Sequence, residues 1–102
     1  MQFTELPLFE KHVYSYLDDD EYGAFQWYLA QNPDAGYIIP AGGGIRKIRW
    51  NAKGKGKSGG VRIIYYHYNK NAEVILMLIY GKNEMSNISA EILKRLRKEL
   101  PK

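Results

Sequence analysis

The chain has no cysteine, which excludes disulfides and thiolate metal sites and is compatible with a reducing compartment. No uninterrupted apolar run approaches the ~20 residues a membrane helix needs. The opening Met1-Gln2-Phe3-Thr4-Glu5 carries no basic segment and no apolar segment of the kind that makes a signal peptide. A soluble cytoplasmic protein with no membrane partner is therefore expected. No carboxylate or histidine cluster is set to hold a metal, so the expected metal and cofactor are none. Asp18-Asp19-Asp20-Glu21 resembles a metal cluster only superficially, and helix capping explains it better. There is no internal repeat and no low-complexity tail. At 102 residues, of which 45% are hydrophobic, a single domain over residues 1–102 with one ordinary core is expected.

A further absence is more informative. Between residues 35 and 72 there is no acid at all, against eight bases: Arg46, Lys47, Arg49, Lys53, Lys55, Lys57, Arg62 and Lys70. Residues 1–34 hold seven acids and one base, and residues 73–102 hold six bases and four acids. The net +4 thus conceals a steep segregation. Solvated surfaces usually mix signs, so clustered bases without neutralising partners imply a polyanion such as RNA or DNA.

Residues 2–6 read as a short strand. From Pro7 the apolar period becomes helical, with Phe9, Val13, Tyr16 and Leu17 on one face and proline suited to the first turn. Asp18 with Glu21 three residues on reads as a capping box. It starts a second helix striped by Tyr22, Phe25 and Leu29 and ended by Asn32-Pro33. The two helices are expected to form an antiparallel hairpin. Residues 33–44 read as a loop. Ile45–Trp50 reads as a strand with Arg46, Ile48 and Trp50 on one face and Lys47 and Arg49 on the other. A Gly/Lys loop spans Asn51–Gly60, and Val61–Tyr68 is a β-branched and aromatic strand. Asn69-Lys70-Asn71 makes a tight turn. Glu73–Tyr80 is apolar on both faces, as in a central strand. Short connections make these three strands an antiparallel meander. Ser86 or Ser89 starts a last helix, with Ile88, Ile92, Leu93, Leu96 and Leu100 on its apolar face and Lys94, Arg95, Arg97 and Lys98 on its basic one. The order β-α-α-β-β-β-α defines an α+β fold with a small, mostly antiparallel sheet packed by helices.

The segment Lys53-Gly54-Lys55-Gly56-Lys57-Ser58-Gly59-Gly60-Val61-Arg62 carries the chemistry. Glycine lets backbone N–H groups approach a phosphate closely. The lysines supply mobile charges, and Arg62, at the start of a strand, supplies a better-fixed fork for phosphate oxygens. Such an array suits a phosphate that gains charge in a transition state. The competing reading is a solvated hairpin loop. It is not a Walker loop, because the Gly-x-x-x-x-Gly-Lys-Ser/Thr frame before a helix is missing.

Residues 54–66, with Gly43-Gly44-Ile45-Arg46-Lys47-Ile48-Arg49 and Ile79-Tyr80-Gly81-Lys82-Asn83-Glu84, resemble toxins of the RelE/HigB superfamily, most of all its HigB-like, phage-derived subgroup. The resemblance runs over nearly the whole chain. It implies a type II toxin that enters the ribosomal A site, cleaves messenger RNA there and inhibits translation. It also implies a cognate antitoxin, helix-turn-helix and HigA-like. Matching positions fall on Lys53, Lys55, Lys57, Arg62 and Lys82; the expected catalytic set is Lys55, Lys57, Arg62 and Lys82, and RNA binding is expected of Lys53 together with the basic run Arg46, Lys47 and Arg49. Asn83 and Ser89 stand where many RelE members place an arginine and a tyrosine. The expected reaction is metal-independent endoribonuclease chemistry, in which a ribose 2′-OH attacks the adjacent phosphate to leave a cyclic phosphate and a 5′-OH. Arg62 and a loop lysine would stabilise the phosphorane, and a second lysine, its charge disfavoured by neighbouring cations, would act as base.

Other candidates read as structural. His67 shares a strand face with Val61, Ile63 and Tyr65, which favours a packed histidine over a catalytic one. His12 reads as a boundary residue of the first helix and Trp50 as a core plug. Tyr65, Tyr66, Tyr68 and Tyr80 are able to stack on bases, but tyrosine is common in strands and packing is favoured for most of them. The alternative functions are a non-enzymatic ParE-like inhibitor of DNA gyrase on the same fold, for which a phosphate-activating array is superfluous, and a plain RNA-binding module.

Overall fold

The computed structural model describes residues 1–51, 60–68, 72–82, 84 and 89–100. The elements in chain order are β1 (Gln2–Glu5), α1 (Pro7–Tyr16), α2 (Asp19–Gln31), β2 (Tyr37–Ile38), β3 (Arg46–Trp50), β4 (Val61–Tyr68), β5 (Glu73–Gly81) and α3 (Ala90–Lys98). This is the expected α+β architecture with one added strand. β2 lies inside the segment read from sequence as a loop, where Tyr37-Ile38-Ile39 supply three β-forming residues between Gly36 and Pro40.

The five strands form one sheet in the order β1-β5-β4-β3-β2. β1 pairs with β5 in parallel, and the other neighbours are antiparallel. β5 is therefore a central strand, as its two apolar faces imply. Between Ile64 and Tyr65 the register slips: Ile64 faces Leu78 while Tyr65 faces Leu76, so Met77 is the extra residue of a bulge.

One sheet face is covered by α1 and α2. Phe9, Val13, Leu17, Tyr22, Phe25 and Leu29 pack there against Ile48, Ile63, Tyr65, Val74 and Leu76. Phe9 and Tyr22 tie the helices together at 5.8 Å between ring centroids. The other face carries Ile45, Ile64, Ile75, Met77 and Tyr80 under Leu93 and Leu96 of α3 and Leu100 just after it. The local rules hold at both caps. Pro7 opens α1, and Asp18 and Glu21 close the capping box of α2, so these acids are occupied in capping. Of the two candidate starts of α3, Ser89 is the cap, its Oγ accepting from Ile92 N at 3.2 Å. Among the described residues no helix is long and apolar enough to cross a membrane.

Candidate functional site

The site is built on the sheet face that carries α3. Residues directly opposite each other on neighbouring strands share a face, so the register decides which bases meet. Arg49 of β3 stands opposite Arg62 of β4, and Arg62 stands opposite Tyr80 of β5. Lys47, two residues before Arg49, projects from the same face and faces Ile64. Tyr37 of β2 faces Lys47. Two rows thus run across the sheet, one through Arg49, Arg62 and Tyr80 and one through Tyr37, Lys47 and Ile64. Lys82 follows the end of β5 and is exposed.

The Arg49–Arg62 pair stands at the end of the sheet where β3 ends and β4 begins. Gly60 makes the entry into β4 possible. Its φ is +62°, and a Cβ there would come within 2.2 Å of the Trp50 carbonyl oxygen. No other residue type fits that position without moving the backbone.

Tyr80, at the β5 end of the row through Arg49 and Arg62, is buried, and its hydroxyl has no hydrogen-bond partner among the described residues. Burial pushes its ionisation up, while the Arg62 guanidinium pulls against that shift. The hydroxyl is therefore held protonated, as a donor beside an arginine.

The bases expected from sequence divide into three groups. Lys47, Arg49 and Arg62 come together on one face, with Lys82 at the sheet end. Arg46 points the other way: its Nη1 donates to the Asp34 and Gly36 carbonyl oxygens at 3.1 and 2.8 Å, and its Nε lies 3.6 Å from the Asp34 carboxylate. Lys53, Lys55 and Lys57 lie outside the described residues, as do the Asn69-Lys70-Asn71 turn and Asn83. Ser89, in a position where the resemblance led to a tyrosine, has the capping role already described.

The face of α3 that carries bases borders a concavity of about 900 Å³, whose opposite wall is β2 and the turn after it. Lys94, Arg97, Lys98 and Lys47 line it with Tyr37, Ile39 and Leu93. Arg97 is fixed there, its Nη1 donating to the Gly43 carbonyl oxygen at 2.7 Å. This helix face is thus one wall of a groove.

His67 is half-buried and structural in its contacts, its Nδ1 2.9 Å from an Asp34 carboxylate oxygen. That contact, with Arg46, holds the Asp34 carboxyl below its ordinary range. His12 is exposed rather than at a boundary. Trp50 is half-buried against Phe25 and Tyr28, with centroids at 5.3 and 5.5 Å, so it lies at the margin of the core. Tyr65 is fully buried, its hydroxyl accepting from Gly36 N at 2.9 Å and donating to the Pro33 carbonyl oxygen at 2.8 Å. Tyr66 and Tyr68 stack on each other at 6.4 Å on the α3 side. The residue that sequence reasoning passed over is Tyr37, 81% exposed beside Lys47. The β-forming triplet flanked by Gly36 and Pro40 was its available signal.

A family model described as "RelE toxin of RelE / RelB toxin-antitoxin system" matches residues 32–100, which spans β2 to the end of α3 and with them every base placed above. The matched segment is well over half of the chain, and the protein belongs to the RelE toxin family: it is a toxin of a toxin–antitoxin system, with an antitoxin as its partner.

Proposed function

We propose that this toxin is a ribosome-dependent messenger RNA endoribonuclease of the cytoplasm, cutting the message in the ribosomal A site and so inhibiting translation. One observation carries the reading: Arg49 and Arg62 are held side by side, in register, where the Lys/Gly connection joins β3 to β4. Arginines that face each other across two strands, on the same side of the sheet, are placed to donate to one phosphate. The reaction would be attack of the ribose 2′-OH on the adjacent phosphate, giving a cyclic phosphate and a free 5′-OH, without a metal. Arg62 is the better fixed of the two arginines, being half-buried, and it would stabilise the charge that develops on the phosphorane. Lys82, Lys55 and Lys57 complete the proposed catalytic set. Arg49, Lys47 and Lys53 would grip flanking phosphates. Arg46 serves that grip indirectly, by fixing the turn that leads into β2.

Lysine is a weak base near neutral pH unless strongly perturbed. Alignment of the 2′-OH, phosphorus and leaving oxygen can supply roughly 7–11 kcal/mol of the barrier, and a decoding site that holds the codon in a bent path would provide it. The test is one messenger incubated with equal toxin, with and without programmed ribosomes. Cleavage within the occupied codon only when ribosomes are present is the expected result. Equal cleavage in both tubes would overturn the ribosome requirement, and no cleavage in a translating extract would overturn the nuclease reading. We place the chain in the HigB-like subgroup with a helix-turn-helix antitoxin of the HigA kind. Co-expression of the neighbouring gene should restore growth and give a stable complex on gel filtration.

A further inference from the structure

β2 covers β3 only in part. Its two residues pair with Lys47 and Arg46, so among the described residues no strand lies against the outer edge of Ile48–Trp50. A concavity of about 410 Å³ occupies that position, within the range of small-ligand sites. Its walls include Tyr37 from β2, Trp50 from β3 and Tyr28 from α2, and Lys47 and Arg49 rise beside them. Tyr37 and Tyr28 are exposed, at 81% and 37%. None of the described lining residues is acidic. Gly36 forms the floor, at a point where a Cβ would be 2.9 Å from both the Lys47 carbonyl oxygen and the Tyr65 ring.

Three chemistries therefore converge: aromatic faces open to solvent, an uncovered strand edge that offers backbone donors and acceptors, and two cations. An apolar peptide would use the first two and leave the cations idle. An acidic peptide would use the cations and leave the rings unfilled. An unpaired nucleotide uses all three, with a π-face for stacking, a polar base edge for the backbone and a phosphate for Lys47 or Arg49. Arg49 also stands in the row with Arg62, so a strand whose base sits here has its neighbouring phosphates close to the proposed cleavage centre. We propose that this concavity is a stacking site for one unpaired nucleobase of single-stranded RNA, with Tyr37 as its main platform. It rests on the RNA reading above, and it assigns to that reading the site that positions the strand.

The experiment uses the purified toxin and a labelled 2′-O-methyl oligoribonucleotide, which lacks the attacking hydroxyl and survives. Binding is followed by fluorescence anisotropy, against an oligonucleotide of equal charge whose bases are replaced by abasic units. The base-bearing strand should bind more tightly. Tyr37→Ala should lose roughly 5- to 150-fold in affinity for it and nothing for the abasic strand, as expected when one stacking platform is removed. Tyr37→Phe should retain wild-type affinity. Because Tyr37 is exposed, the alanine variant stays folded, which circular dichroism verifies. Equal binding of both oligonucleotides, or unchanged affinity in Tyr37→Ala, would overturn the proposal. Messenger cleavage in a translating extract is scored separately. Cleavage without base-dependent binding leaves the nuclease reading standing and removes this site, whereas base-dependent binding without cleavage does the reverse.

Discussion

Arg62 combines two demands that conflict in an ordinary sheet. It occupies a strand position opposite another arginine, and it is half-buried. Arg62→Ala should therefore abolish growth arrest while the protein remains folded, as judged by thermal melting; full toxicity in a folded variant would remove Arg62 from the mechanism. If it stabilises the phosphorane directly, the rate in a ribosome-based assay should fall by about 10²–10³. Asp34 sits at a different kind of position, with His67 and Arg46 around its carboxylate. Its pKa lies below the ordinary 3.8, first because of the His67 contact and then because of the Arg46 charge. The stability it contributes is complete above pH 3.8 and is lost as the pH falls through its lowered folded value. Asp34→Asn should thus differ from the parent at neutral pH and converge with it in strong acid, which denaturant melts at several pH values would show. A constant difference would mean that charge is irrelevant to the contact. At this scale the sequence exposed the bases and the faces of those on β3, but not the partners that Arg46 finds. Period-2 alternation separated Lys47 and Arg49 from Arg46, and the turn that receives Arg46 is not periodic and gave no warning of it.

The elements were legible wherever local chemistry and packing agree. The capping box Asp18–Glu21, the stripe Tyr22-Phe25-Leu29 and the doubly apolar β5 each state a local rule that the fold obeys. β2 was not legible because two residues are too few to show a period, and its pairing depends on β3 rather than on itself. The parallel partnership of β1 with β5 was also hidden, since nothing local to Gln2–Glu5 names a partner some seventy residues away. α3 is amphipathic in the plainest sense, with Leu93 and Leu96 buried, Leu100 buried just beyond its end, and a basic face lining the larger groove. Leu96→Ala should cost about 2–5 kcal/mol, and Ser89→Ala about 1 kcal/mol through the missing cap, both measurable by chemical denaturation. If the leucine variant were to lose under about 1 kcal/mol, far below the usual cost of such a truncation, α3 would be a dispensable cover rather than the closing layer of the fold.

For the whole molecule, charge segregation is the property with the longest reach. The chain's first third is acidic and forms β1, α1 and α2, and its middle third is basic and supplies the bases of the α3-side face. Binding to ribosomes should accordingly weaken steeply with salt, and Lys47→Ala with Arg49→Ala should flatten that dependence by about one unit for each phosphate no longer gripped. An unchanged slope would place RNA elsewhere. The order of the sheet has a consequence for the protein's own birth. β1 leaves the ribosome well before its partner β5, which begins at Glu73. Phe9, Val13, Leu17, Phe25 and Leu29 likewise emerge before the strands that bury them. A nascent chain made at about 5–20 residues per second thus spends several seconds with an exposed apolar helical segment and no sheet to cover it. The face that holds Arg49 and Arg62 also carries Ile64, Ile75 and Met77, and these are covered only when α3 arrives. Because α3 follows every strand in chain order, the groove that it forms with β2 exists only once all five strands and this helix have been made.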